Sequence, residues 1–364
     1  MKRLAPLTVV TVVGAVTVER RYFACSGCGQ THAPWDQWAG VDKHRLSAGA
    51  RRMACLTATS WSFDQASTNL RALCGLDISD ESIRRVCAAE GARARTWLGT
   101  PAAAEPVRSA EGHAECLVDG AAFNTRVHGW REMRVMIQSK RAAGQKIDPA
   151  KWSGLADRRL PKPVAALVSA RAVECEEVGN LLGRAAERVG MARGYEASVI
   201  ADGAKWIWAQ VDRVLPKAER VVDVYHVSQH LHECGQAVYG PKTAEAREWA
   251  ERRLAQIVRE GPSVCLWHVE RQAEACASPG AKKALISLAD YLRPNLAALR
   301  YGDRLRRGLT IGSGQVESAC KTIVGRRLKI NSARWHVPMA EGMASLCAIT
   351  HAKLWESFWG LAAA

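Results

Sequence analysis

The sequence has no hydrophobic segment long enough to cross a lipid bilayer. The strongest candidate is an uncharged run from Leu4 to Val18, which follows the basic start MKR and imitates a secretory signal peptide. However, the run is rich in valine and threonine, which favour strands, and no small-residue cleavage site follows it. Gly14 divides it into LTVVTVV and AVTVERRYF. The sequence therefore predicts a β-hairpin, in a protein that is neither exported nor membrane-bound.

Acidic residues are too few to balance the basic ones. The chain has 51 lysines and arginines against 36 aspartates and glutamates, a net charge of +15. Such an excess favours a polyanionic partner, most simply nucleic acid, because each phosphate contact by a basic side chain releases counterions. With 48% hydrophobic residues and no low-complexity stretch the chain is globular, and its 364 residues suit two or three domains.

Paired cysteines are also scarce. Of the twelve cysteines, only Cys25 and Cys28 form a short motif, CSGCG, and the others are scattered through apolar segments, where a reduced cysteine is a common core residue. One C-x-x-C pair supplies two ligands, whereas a structural zinc site needs four. His32 or His44 would supply a third ligand. A zinc site completed elsewhere and a plain β-turn with two thiols are both open interpretations.

The segment between residues 45 and 100 has the pattern of helices. Gly75 predicts a helix end, and Ser79 predicts the N-cap of the next helix, which carries Arg84 and Arg85. A helix, a glycine turn and an arginine-rich helix fit a helix-turn-helix that contacts DNA. A helical bundle whose arginines face water fits the same pattern.

The middle of the chain alternates strand-like and helix-like segments. Three strand-like runs precede a helical segment, and two further strands alternate with helices, which indicates an α/β fold with a mixed sheet flanked by helices. Residues 101–113 contain two prolines and predict a linker, while residues 241–310 hold no clear strand and predict a helical insertion. We expect a small β element at residues 1–44 and a helical DNA-binding region at residues 45–105. The first part of the core would span residues 106–240, the insertion residues 241–310, and the C-terminal helices that complete the core residues 311–364.

Two aspartates share one context, an apolar strand followed by Asp, Gly and Ala. Asp119 ends ECLVDG, Asp202 ends SVIADG, and Glu317 lies early in a predicted helix, in GSGQVESACK. Carboxylates fixed at rigid strand ends can hold Mg²⁺, which would support an in-line phosphoryl displacement. Each acid also has a plain structural interpretation, since Asp-Gly is a favoured turn pair and Glu317 can pair with Lys321. The joint occurrence of the three acids in a basic chain favours the metal site.

A second cluster of polar residues is VVDVYHVSQHLHE. Asp223 and His226 share a face if a helix begins at Asp223, and His226 and His230 are also one helical turn apart. The spacing lacks the nearby glutamate of a zinc hydrolase. We interpret Asp223 and His226 as supporting residues of the acidic site or as DNA contacts. A hydrogen-bonded core histidine is the alternative.

Several motifs in this order resemble transposases of insertion sequences. The motifs are YFACSGCG…APWD, LVDGAAF, IADGAKWIW, VVDVYHVSQHL and IGSGQVESACKTIVGRRLK…ARW, and the resemblance covers about residues 8–360. The chain resembles transposases of the ISKra type, which are DDE enzymes with a ribonuclease H-like core, and it is more distantly similar to Mutator-type transposases. Relatives often carry a further segment before the hairpin, sometimes with another cysteine pair. This chain starts nearly at the hairpin, so we expect either a truncated reading frame or a form that lacks this segment.

The resemblance implies a role for individual residues. Asp119 on the first strand, Asp202 after the fourth and Glu317 on a later helix would be catalytic and would bind Mg²⁺ or Mn²⁺. Asp223 and His226 match a supporting D-x-x-H motif. Seven basic residues would contact DNA: Arg84, Arg85, Lys321, Arg326, Arg327, Lys329 and Arg334. The resemblance further implies element ends and target DNA as partners, a homo-oligomer on DNA, and a cytoplasmic, nucleoid-associated bacterial enzyme.

The predicted function is therefore a DDE transposase that cuts at the ends of its element and joins the resulting 3′-OH to target DNA. A DNA-binding protein without catalysis is one alternative, but it would have no need of the three acids. A ribonuclease H-like nuclease that cuts without joining is the other. The helix-turn-helix pattern and the helical insertion favour the transposase.

Overall fold

The computed structural model describes residues 2–41, 45–155, 160–191, 197–330 and 332–360. The strands are β1 (Lys2–Thr11), β2 (Gly14–Ala24), β3 (Thr31–His32), β4 (His113–Thr125), β5 (Gly129–Arg141), β6 (Ala165–Arg171), β7 (Ala197–Ala201) and β8 (Glu219–Val222). The helices of the first half are α1 (Pro34–Trp38), α2 (Ala48–Ala58), α3 (Phe63–Cys74), α4 (Asp80–Trp97), α5 (Pro101–Ser109), α6 (Cys175–Arg188) and α7 (Lys205–Val214). Those of the second half are α8 (Val224–Tyr239), α9 (Ala244–Arg259), α10 (Pro262–Ala275), α11 (Pro279–Leu292), α12 (Tyr301–Arg306), α13 (Gly314–Ala319), α14 (Arg326–Leu328), α15 (Val337–His351) and α16 (Trp355–Phe358). Short 3-10 turns span Pro149–Lys151 and Arg293–Leu299, and a π-helical segment spans Cys320–Gly325.

The predicted N-terminal hairpin is confirmed. β1 and β2 pair in antiparallel fashion, with Thr11 opposite Gly14 at the turn, and the short β3 pairs with the end of β2. A main-chain contact between Val10 and Leu46 joins this small sheet to the helical region that follows.

Helices α2, α3 and α4 follow as predicted, and each begins at a serine whose side chain accepts a main-chain N–H: Ser47, Ser62 and Ser79. α3 ends at Gly75, which has a positive φ of 64°. α4 packs tightly on α15, because a Cβ at Gly91 would lie 2.7 Å from the carbonyl carbon of Gly342. Arg95 of α4 also donates to Glu341 at 2.9 Å. The C-terminal half of α4 is therefore docked on the protein.

The predicted linker at residues 101–113 is wrong in its first part, since Pro101–Ser109 forms helix α5. Proline suits the first position of a helix, because a main-chain N–H there would have no acceptor within the helix. The Thr100 hydroxyl caps the helix by accepting a hydrogen bond from the main-chain N–H of Ala103. Ala103, Ala104 and Val107 are buried along one face of α5. Two prolines thus misled the interpretation because one of them starts the helix.

The large sheet has the strand order β6-β5-β4-β7-β8. β5 is antiparallel to both of its neighbours, and β7 and β8 run parallel to β4. Counted along this sheet the order is 3-2-1-4-5, a five-stranded mixed sheet flanked by helices that is compatible with a ribonuclease H-like core. The predicted α/β fold class is confirmed at this level, and a helix-turn-helix arrangement of the N-terminal helices stays a prediction.

Helices cover both faces of this sheet. α13 and the π-helical segment contact β4 on the face to which Asp119 points, and α15 contacts β6. Arg134, which pairs with Gly120 and so belongs to the opposite face, lies over the ring of Trp206 in α7 at 4.7 Å. Residues 241–310 are all described and form helices α9 to α12 with one 3-10 turn, as their sequence predicts. Within the described ranges, no helix is both long and apolar enough to span a membrane.

Candidate active site

Asp119 and Asp202 lie side by side on adjacent strands. In the parallel pair β4–β7, Leu117 pairs with Ile200, so the same register continued by two residues sets Asp119 beside Asp202. Side chains in one row across a sheet point to the same face. The Asp202 carboxylate also lies close enough to Asp119 for its charge to contribute to the raised pKa of Asp119.

Asp223 extends this row to the next strand. Ala201 of β7 pairs with Val222 of β8, so Asp202 is in line with Asp223. The three aspartates thus occupy one row across the ends of β7 and β8 and the middle of β4. The sequence predicts each of these aspartates, but the row depends on strand pairing, which the sequence pattern does not specify.

The predicted position of Asp119 at a strand end is wrong, because β4 continues beyond it to Thr125. β7 ends near Asp119, and the rest of β4 pairs with β5 alone. Gly120 marks a close approach and no turn, since a Cβ at this position would overlap the Glu132 carboxylate. Glu132 therefore lies on the face of the sheet opposite to Asp119, where it pairs with Arg134.

The Asp119 carboxylate is partly desolvated. Its Oδ1 accepts the main-chain N–H of Gly120 at 2.7 Å, and the thiol of Cys320 donates a hydrogen bond to it. Burial raises the pKa of Asp119, and the negative charge of Asp202 adds to the increase, while the hydrogen bonds and His226 oppose it. A cation at this position would neutralise the negative charge of the carboxylates, which the hydrogen bonds and His226 offset only in part.

Asp202 lies at the mouth of a pocket of about 320 Å³ whose lining includes His226, His230 and Tyr291. Its Oδ1 accepts the main-chain N–H of Ala204 at 2.8 Å, and the hydroxyl of Tyr291 donates to its carbonyl oxygen at 3.1 Å. The ring of Tyr291 lies 4.1 Å from that of His230, centroid to centroid. The turn after β7 is therefore fixed by α11 and α8, two helices on the C-terminal side of the aspartate.

Asp223 is buried, with 2% of its surface exposed, and it caps α8, which begins at Val224. Its Oδ1 accepts two main-chain N–H groups, from Ser313 at 2.9 Å and from Tyr225 at 3.3 Å. His226, predicted to share its face, has Nε2 at 3.9 Å from Asp223 Oδ2. Asp223 therefore links the end of β8 to the loop that precedes the helix of Glu317.

Glu317 lies in α13, which is held on the sheet by Gln315. The amide oxygen of Gln315 accepts from Ser139 Oγ at 3.2 Å and from Arg141 Nη2 at 3.1 Å. The Glu317 carboxylate is half exposed and accepts from Lys321 Nζ at 2.6 Å. The helix pair between Glu317 and Lys321, the plain structural interpretation of this acid, is thus present.

Cys320 connects Glu317 to the aspartate row. It begins the π-helical segment, and π-helical insertions are frequent at functional sites. Burial raises the pKa of its thiol, and the charges of Asp119, Glu132 and Glu317 add to the increase, so the thiol stays protonated and donates to Asp119. Sequence analysis missed Cys320 because a single cysteine in an apolar segment looks like an ordinary core residue.

The three predicted metal ligands are not gathered around one point. Among the residues that the structure describes, no three His, Cys, Asp or Glu side chains are grouped so that they could hold one ion. Asp119 and Asp202 are adjacent, and Glu317 is one helical turn from Cys320 with its carboxylate on Lys321. The donor set itself, carboxylate oxygens beside a partly desolvated aspartate, fits a hard divalent cation such as Mg²⁺.

The zinc hypothesis has no support. Cys25 and Cys28 are exposed free thiols in the turn between β2 and β3, where Gly29 donates its N–H to the carbonyl oxygen of Cys25 at 3.0 Å. Main-chain hydrogen bonds from Cys28 and Gly27 lower the pKa of Cys25. His32 is exposed on β3, and His44 lies outside the described residues. The plain β-turn with two thiols agrees with these observations.

The basic residues predicted to contact DNA divide into two groups. Six are exposed at the surface: Arg84, Arg85, Lys321, Arg326, Lys329 and Arg334. Arg327 is 1% exposed, so its prediction as a surface phosphate contact is wrong. Its guanidinium lies over the rings of Phe63 at 4.7 Å and Trp335 at 4.9 Å, and its Nε donates to the carbonyl oxygen of Ala58. Neighbouring arginines on a helix point in different directions, and the letters GRRLK do not tell which one faces inward.

Residues 181–274 match a family described as transposase, of the ISL3 type of DDE transposases. The match runs from α6 to α10 and includes Asp202, Asp223 and His226, while Asp119 and Glu317 lie outside it. It is consistent with an insertion-sequence transposase and confirms the resemblance drawn from the motifs at that level. Among curated proteins, none matches the chain.

Proposed function

We propose that this chain is the DDE transposase of an insertion sequence, which binds the ends of its element and catalyses Mg²⁺-dependent cleavage and joining of DNA strands. The observation that carries the proposal is that the register of the adjacent parallel strands β4 and β7, continued by two residues, sets Asp119 beside Asp202, and Asp202 lies in the segment that matches transposases. Turn-forming aspartates have no reason to share a row on one face of a sheet.

In this proposal Asp119, Asp202 and Glu317 hold the catalytic Mg²⁺ or Mn²⁺. When bound, the ion would lower the pKa of the attacking water and stabilise charge on the phosphate. To bind the ion, the Glu317 side chain changes rotamer and leaves Lys321, and Lys321 is then free to contact a DNA phosphate. Its position half exposed on a short helix makes such a change of rotamer sterically simple.

Three other residues support the carboxylates. Asp223 holds the loop before α13 through Ser313, and Cys320 donates to Asp119 and so orients its carboxylate. His226 lies beside Asp223 at the edge of the pocket that contains Asp202, where its Nε2 can hold a proton at the site.

DNA binding in this proposal uses exposed basic side chains on two parts of the surface. Arg84 and Arg85 lie in the N-terminal half of α4, and Arg326, Lys329 and Arg334 follow Glu317. Residues 45–105 would form the DNA-binding region, and residues 106–240 with 311–364 the catalytic core, interrupted by the insertion 241–310. We further propose a homo-oligomer assembled on DNA in the bacterial nucleoid.

The test is a cleavage assay of the full chain with Mg²⁺ on a labelled duplex that carries an end of the element. We expect nicked product and, with added target plasmid, a joined product. Asp119→Asn should remove both products and leave binding of the duplex near normal, because asparagine keeps the shape and loses the charge. The matched control is Asp212→Asn, an exposed aspartate on α7 that should leave both products intact.

Each alternative gives a different result in this assay. Cleavage without any joined product favours a ribonuclease H-like nuclease. Duplex binding without cleavage by the wild-type chain favours a DNA-binding protein without catalysis. Cleavage by Asp119→Asn at the wild-type rate removes Asp119 from the mechanism.

A further inference from the structure

A second pocket, of about 340 Å³, lies where α3, α4, the end of β4 and the segment before α15 meet. Four arginines line it: Arg84, Arg126, Arg327 and Arg334. None of the described residues that line it is acidic. Arg84 pairs with Glu81 outside the pocket, and the other three arginines leave the described walls with an excess of positive charge.

Arg327, which lines this pocket, carries a donor that has no partner among the described residues. The side chain is almost completely buried and its Nε donates to the protein, but its Nη2 is buried and no described residue accepts from it. A buried charged donor left unpaired is costly, so this position calls for an acceptor that the described residues do not supply. A ligand oxygen in the pocket would supply it as the guanidinium turns toward it.

The rest of the wall is largely apolar. Phe63, Ile330, Met339 and the buried Trp335 line the pocket beside the arginines. Phe63 and Trp335 meet edge to face, with ring centroids 6.2 Å apart. Apolar and aromatic side chains next to guanidinium groups form the kind of surface on which an unstacked nucleic-acid base packs.

The pocket is connected to the strand that carries Asp119. The main-chain N–H of Trp335 donates to the carbonyl oxygen of Asn124 at 3.0 Å, and the N–H of Arg126 donates to that of Trp335 at 2.9 Å. At about 3.4 Å per residue, the end of β4 lies about 20 Å from Asp119 along the strand. A DNA strand bound at Asp119 would have to extend about 20 Å along β4 to reach the pocket.

We propose that this pocket binds an unpaired nucleotide of the bound DNA. The base packs against Phe63 and Met339, a base oxygen accepts from the guanidinium of Arg327, and the flanking phosphates lie on Arg126 and Arg334. A base within a duplex cannot enter the pocket, so binding requires a single strand or a base turned out of the helix. The proposal rests on the proposed function in taking DNA as the ligand.

The test measures the affinity of the full chain for a short fluorescein-labelled oligothymidylate by anisotropy. Ala333→Trp fills the pocket without changing charge, and we expect it to weaken binding about tenfold, within the range found for loss of one base stack. Arg334→Ala should weaken binding more than Arg326→Ala. Both variants remove one exposed arginine, but Arg326 does not line the pocket.

A second readout uses an oligothymidylate with one 2-aminopurine. Its fluorescence should change on binding to the wild-type chain and stay unchanged with Ala333→Trp, provided that circular dichroism shows the variant to be folded. If that variant does not fold, Met339→Trp fills the pocket from α15. The pocket proposal is overturned if Arg334→Ala and Arg326→Ala lose the same affinity and the 2-aminopurine fluorescence does not change when the wild-type chain binds. The transposase proposal would remain standing. A wild-type chain that binds neither single strands nor duplexes overturns the proposed function itself.

Discussion

The carboxylate of Asp223 accepts the main-chain N–H of Ser313 at 2.9 Å, and this bond ties the end of β8 to the loop before the helix of Glu317. Asp223 is buried and uses the same oxygen to cap α8. It therefore stands in the aspartate row, but its contacts are those of a residue that positions others.

A comparison of two substitutions at this residue separates positioning from metal binding. Asp223→Ala should lower the cleavage rate about 10–100-fold, the usual effect of losing a supporting contact. Asp223→Asn keeps an oxygen for Ser313, so it should recover most of the rate with KM unchanged. If Asn is as harmful as Ala, the charge of Asp223 is what matters, and the residue is a metal ligand.

Asp202 should respond differently to the same pair of substitutions. We expect both Asp202→Ala and Asp202→Asn to bring Mg²⁺-dependent cleavage below detection, because a metal ligand needs its charge. Duplex binding measured in parallel should stay near the wild-type value. A dead Asp223→Ala together with an active Asp202→Ala means that the second catalytic aspartate has been misidentified.

Local signals in the sequence predicted local features well. Gly75 and Ser79 end one helix and begin the next as expected, and Gly14 lies at the turn of the N-terminal hairpin. These features depend on neighbouring residues alone, whose backbone preferences and capping groups are visible in the sequence. The strands of the large sheet likewise overlap the strand-like runs of the sequence.

Features that depend on distant contacts could not be predicted. Asp119 looked like a strand end because Asp-Gly favours turns, but pairing with β5 carries the strand further. Arg327 looked like its neighbour Arg326, and only the packing of Phe63 and Trp335 around it decides that it is buried. Cys320 gained its contact with Asp119 through the folding of a π-helical segment against β4. In each case the partner is far away in the sequence.

The contact between α4 and α15 should be sensitive to a single methyl group. A Cβ at Gly91 would lie 2.7 Å from main-chain atoms of Gly342, which cannot rotate away, so Gly91→Ala should destabilise the protein by about 1–3 kcal/mol. The measurement is urea unfolding followed by circular dichroism. Gly280→Ala is the matched control, since nothing lies within 4 Å of its added Cβ and alanine favours the helix. An unchanged midpoint for Gly91→Ala would show that the two helices can separate at no cost.

Stability should fall in mild acid because of His113. Burial lowers its pKa to about 4, and the positive charges of Arg304 and Arg307 contribute. The unfolded chain keeps the ordinary value near 6.5, so the neutral ring stabilises the fold fully above about pH 6.5, and this contribution is lost as the pH falls towards 4. Allowing for partial exposure, the loss is on the order of 1–2 kcal/mol. His113→Gln, which cannot titrate, should show a smaller decrease between pH 6.5 and 4.5 in unfolding experiments, and identical decreases for both chains would contradict this prediction.

DNA binding should depend on salt through the exposed arginines and not through Arg327. Arg84 donates two hydrogen bonds to the Glu81 carboxylate and Arg85 donates one, and these three bonds lower the pKa of Glu81 to about 2. DNA has to compete with Glu81 for both guanidinium groups, so Glu81→Gln should strengthen duplex binding and steepen the plot of log K against log salt.

Removing the arginines should act in the opposite direction. Arg84→Ala and Arg85→Ala should each reduce the salt slope by about 1, the value expected for one lost phosphate contact. Arg327→Met keeps an apolar side chain between the rings of Phe63 and Trp335 and should leave the slope for duplex DNA unchanged, because a buried guanidinium releases no counterion from a duplex. Fluorescence anisotropy across a salt series measures all four variants against the wild-type chain. The prediction is contradicted if Arg327→Met reduces the salt slope while Arg84→Ala and Arg85→Ala leave it unchanged. The duplex would then not contact the two exposed arginines of α4.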